Sequence, residues 1–291
     1  MTFHPNKCKV LTVSPREEVP ILPYDRFPYC MGDDCLDYVN TQKDLGVYMN
    51  CKLNWTEHCN TLISKATNML NLVKRTCHFT NSADQKRVLY LALVRSQFEH
   101  CSVIWKPHCK TLCHKMECVQ KRAVKWILGE NYNSYSEMEY TKKLKYLKLL
   151  PIERKLTVND LILFHRIIHK KICITLPDYI QLASPPRSLR TCHIDPLYFS
   201  SKIKPRQTTL TTNTTKNKSN MNDPDYGQHV LREFEHSYFY RTHLQWNKLP
   251  LHLKIIEEQE AFKNKLNSYL LGDLVESLCD SFEADESDDH G

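Results

Sequence analysis

Six glycines in 291 residues is the feature that most narrows the folds open to this chain. Glycine supplies the left-handed turns of β-rich folds and the close backbone approach of phosphate-cradling loops. A chain with so few is pushed towards helices. Its fourteen prolines, two of them adjacent at Pro185 and Pro186, carry most of the punctuation instead. The length suffices for one large domain or two of ordinary size, each able to bury a core.

Charge is distributed unevenly. The last twenty residues, Gly272 to Gly291, hold eight acids and no Lys or Arg. The preceding 271 residues hold 40 basic against 25 acidic side chains, a net +15. A body that basic suits a polyanion such as nucleic acid, or an anionic surface. The acidic end reads as a solvated, disordered tail, with competition for the basic body as the sharper alternative. No apolar run is long enough to span a bilayer, and none near Met1 resembles a signal peptide, so a cytoplasmic or nuclear setting with thirteen reduced thiols is expected.

Hydrophobic periodicity changes along the chain. Residues 8–50 read as short extended pieces, with strand composition at Lys9–Val13, around Tyr38-Val39, and at Leu45-Gly46-Val47. From Trp55 the apolar period becomes helical: Trp55, Cys59, Leu62, Ile63, Ala66, Met69, Leu70, Val73 and Cys77 share a face. A second helix follows Ser82 with Val88, Leu89, Ala92, Leu93 and Phe98 inward. A third runs from about Lys110 to Leu128 and stops at Gly129. Pro151 opens a fourth whose apolar residues lie almost all round it, the mark of a buried helix. Residues 184–228, rich in Pro, Thr, Asn and Lys, have linker composition.

Several motifs have chemical readings. Gly32-Asp33-Asp34 places paired carboxylates as metal-dependent polymerases do, but that chemistry needs a further carboxylate on an upstream strand. A turn between strands is the simpler reading. Cys109, Cys113 and Cys118 with His108 and His114 have the composition of a zinc site, yet no second half with matching spacing follows. Many Cys and His residues are present, but no spacing selects a catalytic pair. The third helix is the most informative. At about 100° per residue, Leu112, Met116, Val119, Ala123 and Ile127 form an apolar floor. Lys110, His114, Lys121 and Lys125 fall opposite, flanked by Arg122. A solvated lysine face, common on any helix, is the plainer reading of such a stripe; a phosphate-tracking surface is the functional one, favoured by the +15 body.

Five blocks, taken in order, carry a resemblance. Lys43-Asp44-Leu45-Gly46-Val47, then Leu53-Asn54-Trp55-Thr56-Glu57-His58, then Ser96 to Trp105, then Glu117-Cys118-Val119-Gln120-Lys121-Arg122-Ala123, and Trp246-Asn247-Lys248-Leu249-Pro250 resemble a passage of jockey-like non-LTR (LINE-type) retrotransposon reverse transcriptases. That passage runs from just after the polymerase palm through the thumb and the region downstream. The likeness covers roughly residues 6–265.

The resemblance implies a mainly α protein, a helical thumb-like bundle with a small N-terminal β remnant of a polymerase palm. Taken with the composition, it gives this order: palm-remnant β segment at 1–50, thumb-like domain at 51–183, flexible linker at 184–228, compact C-terminal segment at 229–271, acidic disordered tail at 272–291. It also implies that the family's metal-binding aspartates, fingers and endonuclease are missing from this stretch. The expectation is therefore a non-enzymatic fragment of an RNA-directed DNA polymerase with no cofactor or metal. What it would retain is sequence-independent binding of template–primer duplex through Lys110, His114, Lys121, Arg122 and Lys125. A non-enzymatic interaction protein with a basic helical body, or a stranded reading frame without selected function, remains the alternative.

Overall fold

The computed structural model describes residues 4, 7–13, 28–78, 82–129, 137–182, 197–201 and 236–285, the side chains of 137–139 and 273–285 excepted. It is mainly helical and divides into two compact units, Met1–Val119 and Gln120–Gly291.

The first unit begins with short strands paired in twos. β1 (Lys9–Val10) lies parallel to β4 (Asp37–Tyr38); β2 (Cys30–Met31) turns back on β3 (Asp34–Cys35); β5 (Thr41–Asp44) turns back on β6 (Val47–Asn50). Gly32 and Asp33 form the turn between β2 and β3, and Gly32 takes the positive φ of 66°. Gly-Asp-Asp is thus a hairpin turn, as its composition suggests. One strand expectation is corrected. Leu45 and Gly46 are not extended: their φ values of 44° and 92° make them the turn joining β5 to β6. Two successive positive φ values give the type I′ turn whose twist suits a hairpin.

Helix α1 (Thr56–Thr76) buries His58, Cys59, Leu62, Ala66, Leu70 and Val73, following the periodicity read from sequence. The second helical stretch departs from it. α2 (Ala83–Leu89) passes through a π-helical segment, Tyr90–Arg95, into α3 (Ser96–Glu99). Tyr90, Val94, Arg95 and Phe98 are buried, whereas Val88, Ala92 and Leu93 face solvent. The wider i→i+5 turn resets the phase of the helix, so a face projected at 3.6 residues per turn is the wrong one.

After α3, Cys101 takes a left-handed φ of 52° and α4 (Ser102–Trp105) swings Trp105 into the core. The Trp105 indole N–H donates to the His100 carbonyl at 2.8 Å. His58 stands edge-on to the same indole, ring centroids 5.2 Å apart, and its Nδ1 accepts the Tyr48 backbone N–H at 3.3 Å. His58 is 1% exposed. Burial, then the charges of Lys65 and His100, push its pKa down to about 4. The fold therefore holds the neutral ring, and protons bind the unfolded chain more readily. Stability in urea melts should fall as pH drops from about 6.5, the ordinary histidine value, towards about 4. His58→Gln should lose less over that window than the wild type; parallel losses would assign the titration elsewhere.

Helix α5 (Lys110–Leu128) ends where the sequence places it, with Gly129 at φ 70°. In the second unit follow α6 (Glu137–Tyr146), α7 (Ile152–Ile168), the antiparallel pair β7 (Ile180–Leu182) and β8 (Phe199–Ser201), then α8 (Tyr238–Asn247), α9 (Leu251–Lys254) and α10 (Gln259–Asp285). Its core gathers Phe164, Phe199, Trp246, Leu249, Leu253, Phe262 and Leu266. Phe164 meets Trp246 and Phe199 edge to face at 5.5 and 5.6 Å, and His165 stacks on Phe262 at 4.3 Å.

Two boundaries read from composition change. β8 lies inside 184–228 and is anchored there: Asn247 donates to the Phe199 carbonyl at 2.7 Å and accepts its N–H at 3.0 Å. The rest of that stretch, and residues 286–291, lie outside the described residues. The segment from Gly272 is helical to Asp285 rather than disordered. Phe262, Leu266, Leu270, Leu274, Leu278 and Phe282 recur every fourth residue, an apolar period that sustains a helix despite the acids between them.

Asp160 of α7 is 2% exposed, and Arg241 of α8 clasps both its oxygens at 3.1 Å. The Tyr238 hydroxyl donates to the Asp160 backbone carbonyl at 3.0 Å. Removing one member of a buried pair strands the other charge, at a cost of about 3 kcal/mol or more. Asp160→Ala should therefore lower the unfolding midpoint sharply. A change under about 1 kcal/mol, typical of exposed pairs, would show that the pair is solvated in solution.

Candidate nucleic-acid interface

The geometry of α5 decides where its cations go. Leu112, Met116, Val119, Ala123 and Ile127 are all buried, as their spacing predicts. Gln120 and Val124 are buried too, so the inward arc is wider than the apolar residues alone suggest. Gln120 can be there because its amide is satisfied: Nε2 donates to the Leu150 carbonyl at 3.1 Å and to the Tyr140 hydroxyl at 3.3 Å. A buried amide without partners would cost roughly 1–3 kcal/mol.

The remaining arc is outward and carries the five predicted residues. Lys110, His114 and Arg122 are exposed; Lys121 and Lys125 are half-buried. All five lie on α5, Lys110 and His114 in the first unit and Lys121, Arg122 and Lys125 in the second. The five are not equivalent. Lys121 is half-buried and holds Nζ 5.0 Å from the centre of the Tyr140 ring, a cation–π contact that ties the side chain to α6. His114 Nε2 lies 3.4 Å from the Cys118 Sγ one turn on. Lys115, also exposed, falls at the edge of the same arc beside Arg122.

Sequence reasoning missed a second basic element. Lys142 and Lys145 on α6, and Lys148 just beyond it, are exposed, while Tyr140, Leu144 and Leu147 turn inward. The signal was available: those three apolar residues sit at i, i+4 and i+7. Within the second unit Tyr140 ties α6 to α5, touching both Gln120 and Lys121.

The thiols near α5 are dispersed. Cys113 Sγ lies 3.6 Å from the Pro107 carbonyl. Cys109 precedes the helix, where backbone N–H groups of Leu112 and Thr111, then the Thr111 hydroxyl, hold its thiol below the ordinary range. Among the described residues no three His, Cys, Asp or Glu side chains converge as metal ligands. Two surface depressions run along α1, one of about 650 Å³ lined by residues such as Asn54, Glu57 and Asn60, the other by Asn68, Asn71, Lys74 and Arg75. No described helix is long and apolar enough to cross a membrane.

Three of the blocks that carry the resemblance meet in the first unit, and the last packs in the core of the second. In the first unit Gly46 lies against His100, whose Nε2 is 3.1 Å from the Leu45 carbonyl, and His58 lies against Trp105. In the second, Trp246 is fully buried with its indole N–H donating to the Leu197 carbonyl at 3.1 Å, and Asn247 clasps β8. Comparison with protein-family models, curated proteins and solved structures finds no match for this chain.

Proposed function

We propose that this chain is a catalytically incomplete portion of a jockey-like retrotransposon reverse transcriptase, comprising thumb and downstream regions, that binds nucleic-acid duplex without reading its sequence. The observation that carries the reading is the one-sided character of α5: every residue on its inner arc is buried, and the outer arc holds Lys110, His114, Lys121, Arg122 and Lys125. The +15 balance of residues 1–271 supports it, since phosphate binding draws on the field of the whole body as well as on contacts. Backbone phosphates are the target because long cations on a helix face, with no amide or acid among the five, suit charge neutralisation better than base readout. No nucleotide chemistry is part of the proposal: Asp33 and Asp34 sit on an exposed hairpin of paired two-residue strands.

The experiment is a set of duplex-DNA binding isotherms at three salt concentrations. Each phosphate neutralised contributes about −0.9 to the slope of log K against log salt. Lys110 and Arg122 are exposed, so replacing both by Ala leaves the core untouched. That double variant should flatten the slope by about 1.8 and weaken all sequences alike. Truncation after Leu271, which keeps Phe262 and Leu266 in the core, should tighten binding if the acidic end competes for the stripe. Weak binding of the wild type near physiological salt, or an unchanged slope in the variant, would favour the interaction-protein reading instead.

A further inference from the structure

We propose that Cys30 and Cys35 form a redox-active dithiol that closes reversibly to an intramolecular disulfide by exchange with glutathione-type disulfides. The two cysteines are direct cross-strand partners on β2 and β3, their sulfurs 3.0 Å apart, and both are exposed.

The hairpin register explains why the pair can close. Leu36 N–H donates to the Tyr29 carbonyl at 2.7 Å, which marks Tyr29 and Leu36 as a hydrogen-bonded pair. Pairs alternate along an antiparallel ladder, so Cys30 and Cys35 occupy the non-hydrogen-bonded position next to it. There the Cα atoms lie about 4.5 Å apart and the side chains approach closely, inside the roughly 4.4–6.8 Å span that a disulfide accepts. The two-residue turn at Gly32-Asp33 sets that register. Its positive φ at Gly32 is a conformation that costs an L-residue about 1–2 kcal/mol. One thiol donates a hydrogen bond to the other, and this, then slight desolvation and the charge of Cys35, raises the Cys30 pKa. Exchange is accordingly faster on the alkaline side of neutrality, where thiolate becomes available. Cys59 is the contrast: it is buried on α1, and desolvation pushes its thiol up to about 12.

The chemistry balances with a disulfide as co-reactant. One cysteine thiolate attacks a glutathione disulfide, breaking its S–S bond and releasing one glutathione thiol. The second cysteine then attacks the mixed disulfide, forming the Cys30–Cys35 bond and releasing the second thiol. Two protons and two electrons pass from the protein dithiol to glutathione. The reverse exchange restores the pair.

The test uses the full chain in graded mixtures of reduced and oxidised glutathione, with acid quenching, differential alkylation and tryptic mapping. The peptide Phe27–Lys43 contains both cysteines and no other. It should appear with an internal disulfide at oxidant ratios that leave Cys59 alkylatable. Its closure constant should be at least about tenfold larger in the folded protein than in urea, a difference equivalent to about 30 mV. Gly32→Val keeps both thiols, and a Cβ at this position would meet no atom within 4 Å, so only the backbone conformation is penalised. It should lower the closure constant by about tenfold. Cys30→Ser should leave Cys35 as a single glutathione adduct. Two glutathione adducts on the wild-type peptide, or equal closure in folded and urea-unfolded chains, would overturn the proposal.

Discussion

The inward arc of α5 is the constraint on which the candidate interface depends. Seven buried positions, Leu112, Met116, Val119, Gln120, Ala123, Val124 and Ile127, fix the helix about its own axis. Once that rotation is set, five cationic or ionisable side chains have one direction left to them. Placing charges this way is inexpensive because none of the five is fully buried: Lys110, His114 and Arg122 are exposed, and Lys121 and Lys125 half-buried. Gln120 is the one polar member of the inner arc, and its two hydrogen bonds are what permit the helix to sit so deep.

Buried polar groups recur at each centre of packing. His58 lies against Trp105, Gln120 bonds to Tyr140 and Leu150, Asp160 pairs with Arg241, and the His165 Nε2–H donates to the Ile256 carbonyl. Each lies among apolar side chains that alone would accept several arrangements. A hydrogen bond has a direction, and an unpaired buried partner is costly, so these contacts select one arrangement among many of similar area. In the second unit Asn247 does this most locally: a side-chain amide takes both backbone groups of Phe199 and thereby docks the three-residue strand β8, which pairs with β7.

What could be read from the sequence was what periodicity encodes. The faces of α1 and α5 follow from 3.6-residue spacing because nothing interrupts their hydrogen-bond ladder. The face of α2 to α3 does not follow, because a π-helical segment at Tyr90–Arg95 leaves no mark in residue type. Nor does residue type tell that Arg95 or Asp160 will be buried: Arg95 lies within the π-helical segment, with Glu99 four residues on, and Asp160 depends on Arg241 of another helix. Leu45 in a left-handed turn is a further case; a β-compatible residue was placed by the demands of a type I′ hairpin. The basic stripe was legible because it is local to one helix. The basic residues of α6 were overlooked although Tyr140, Leu144 and Leu147 mark that helix too.

The quoted family-like blocks therefore bear mostly on folding. His58, His100 and Trp105 touch one another or each other's backbones, and Trp246, Asn247 and Leu249 hold β8 and the second core. Only the Glu117–Ala123 block contributes to both ends of the argument. Val119, Gln120 and Ala123 face inward, while Lys121 and Arg122, between them in sequence, point the other way. A seven-residue stretch of one helix must present both faces, and so a single short block can carry a packing requirement and a charge requirement together. Separating the two takes substitutions that respect this division. A change at Ala123 would test the fold, and a change at Arg122 would test the surface.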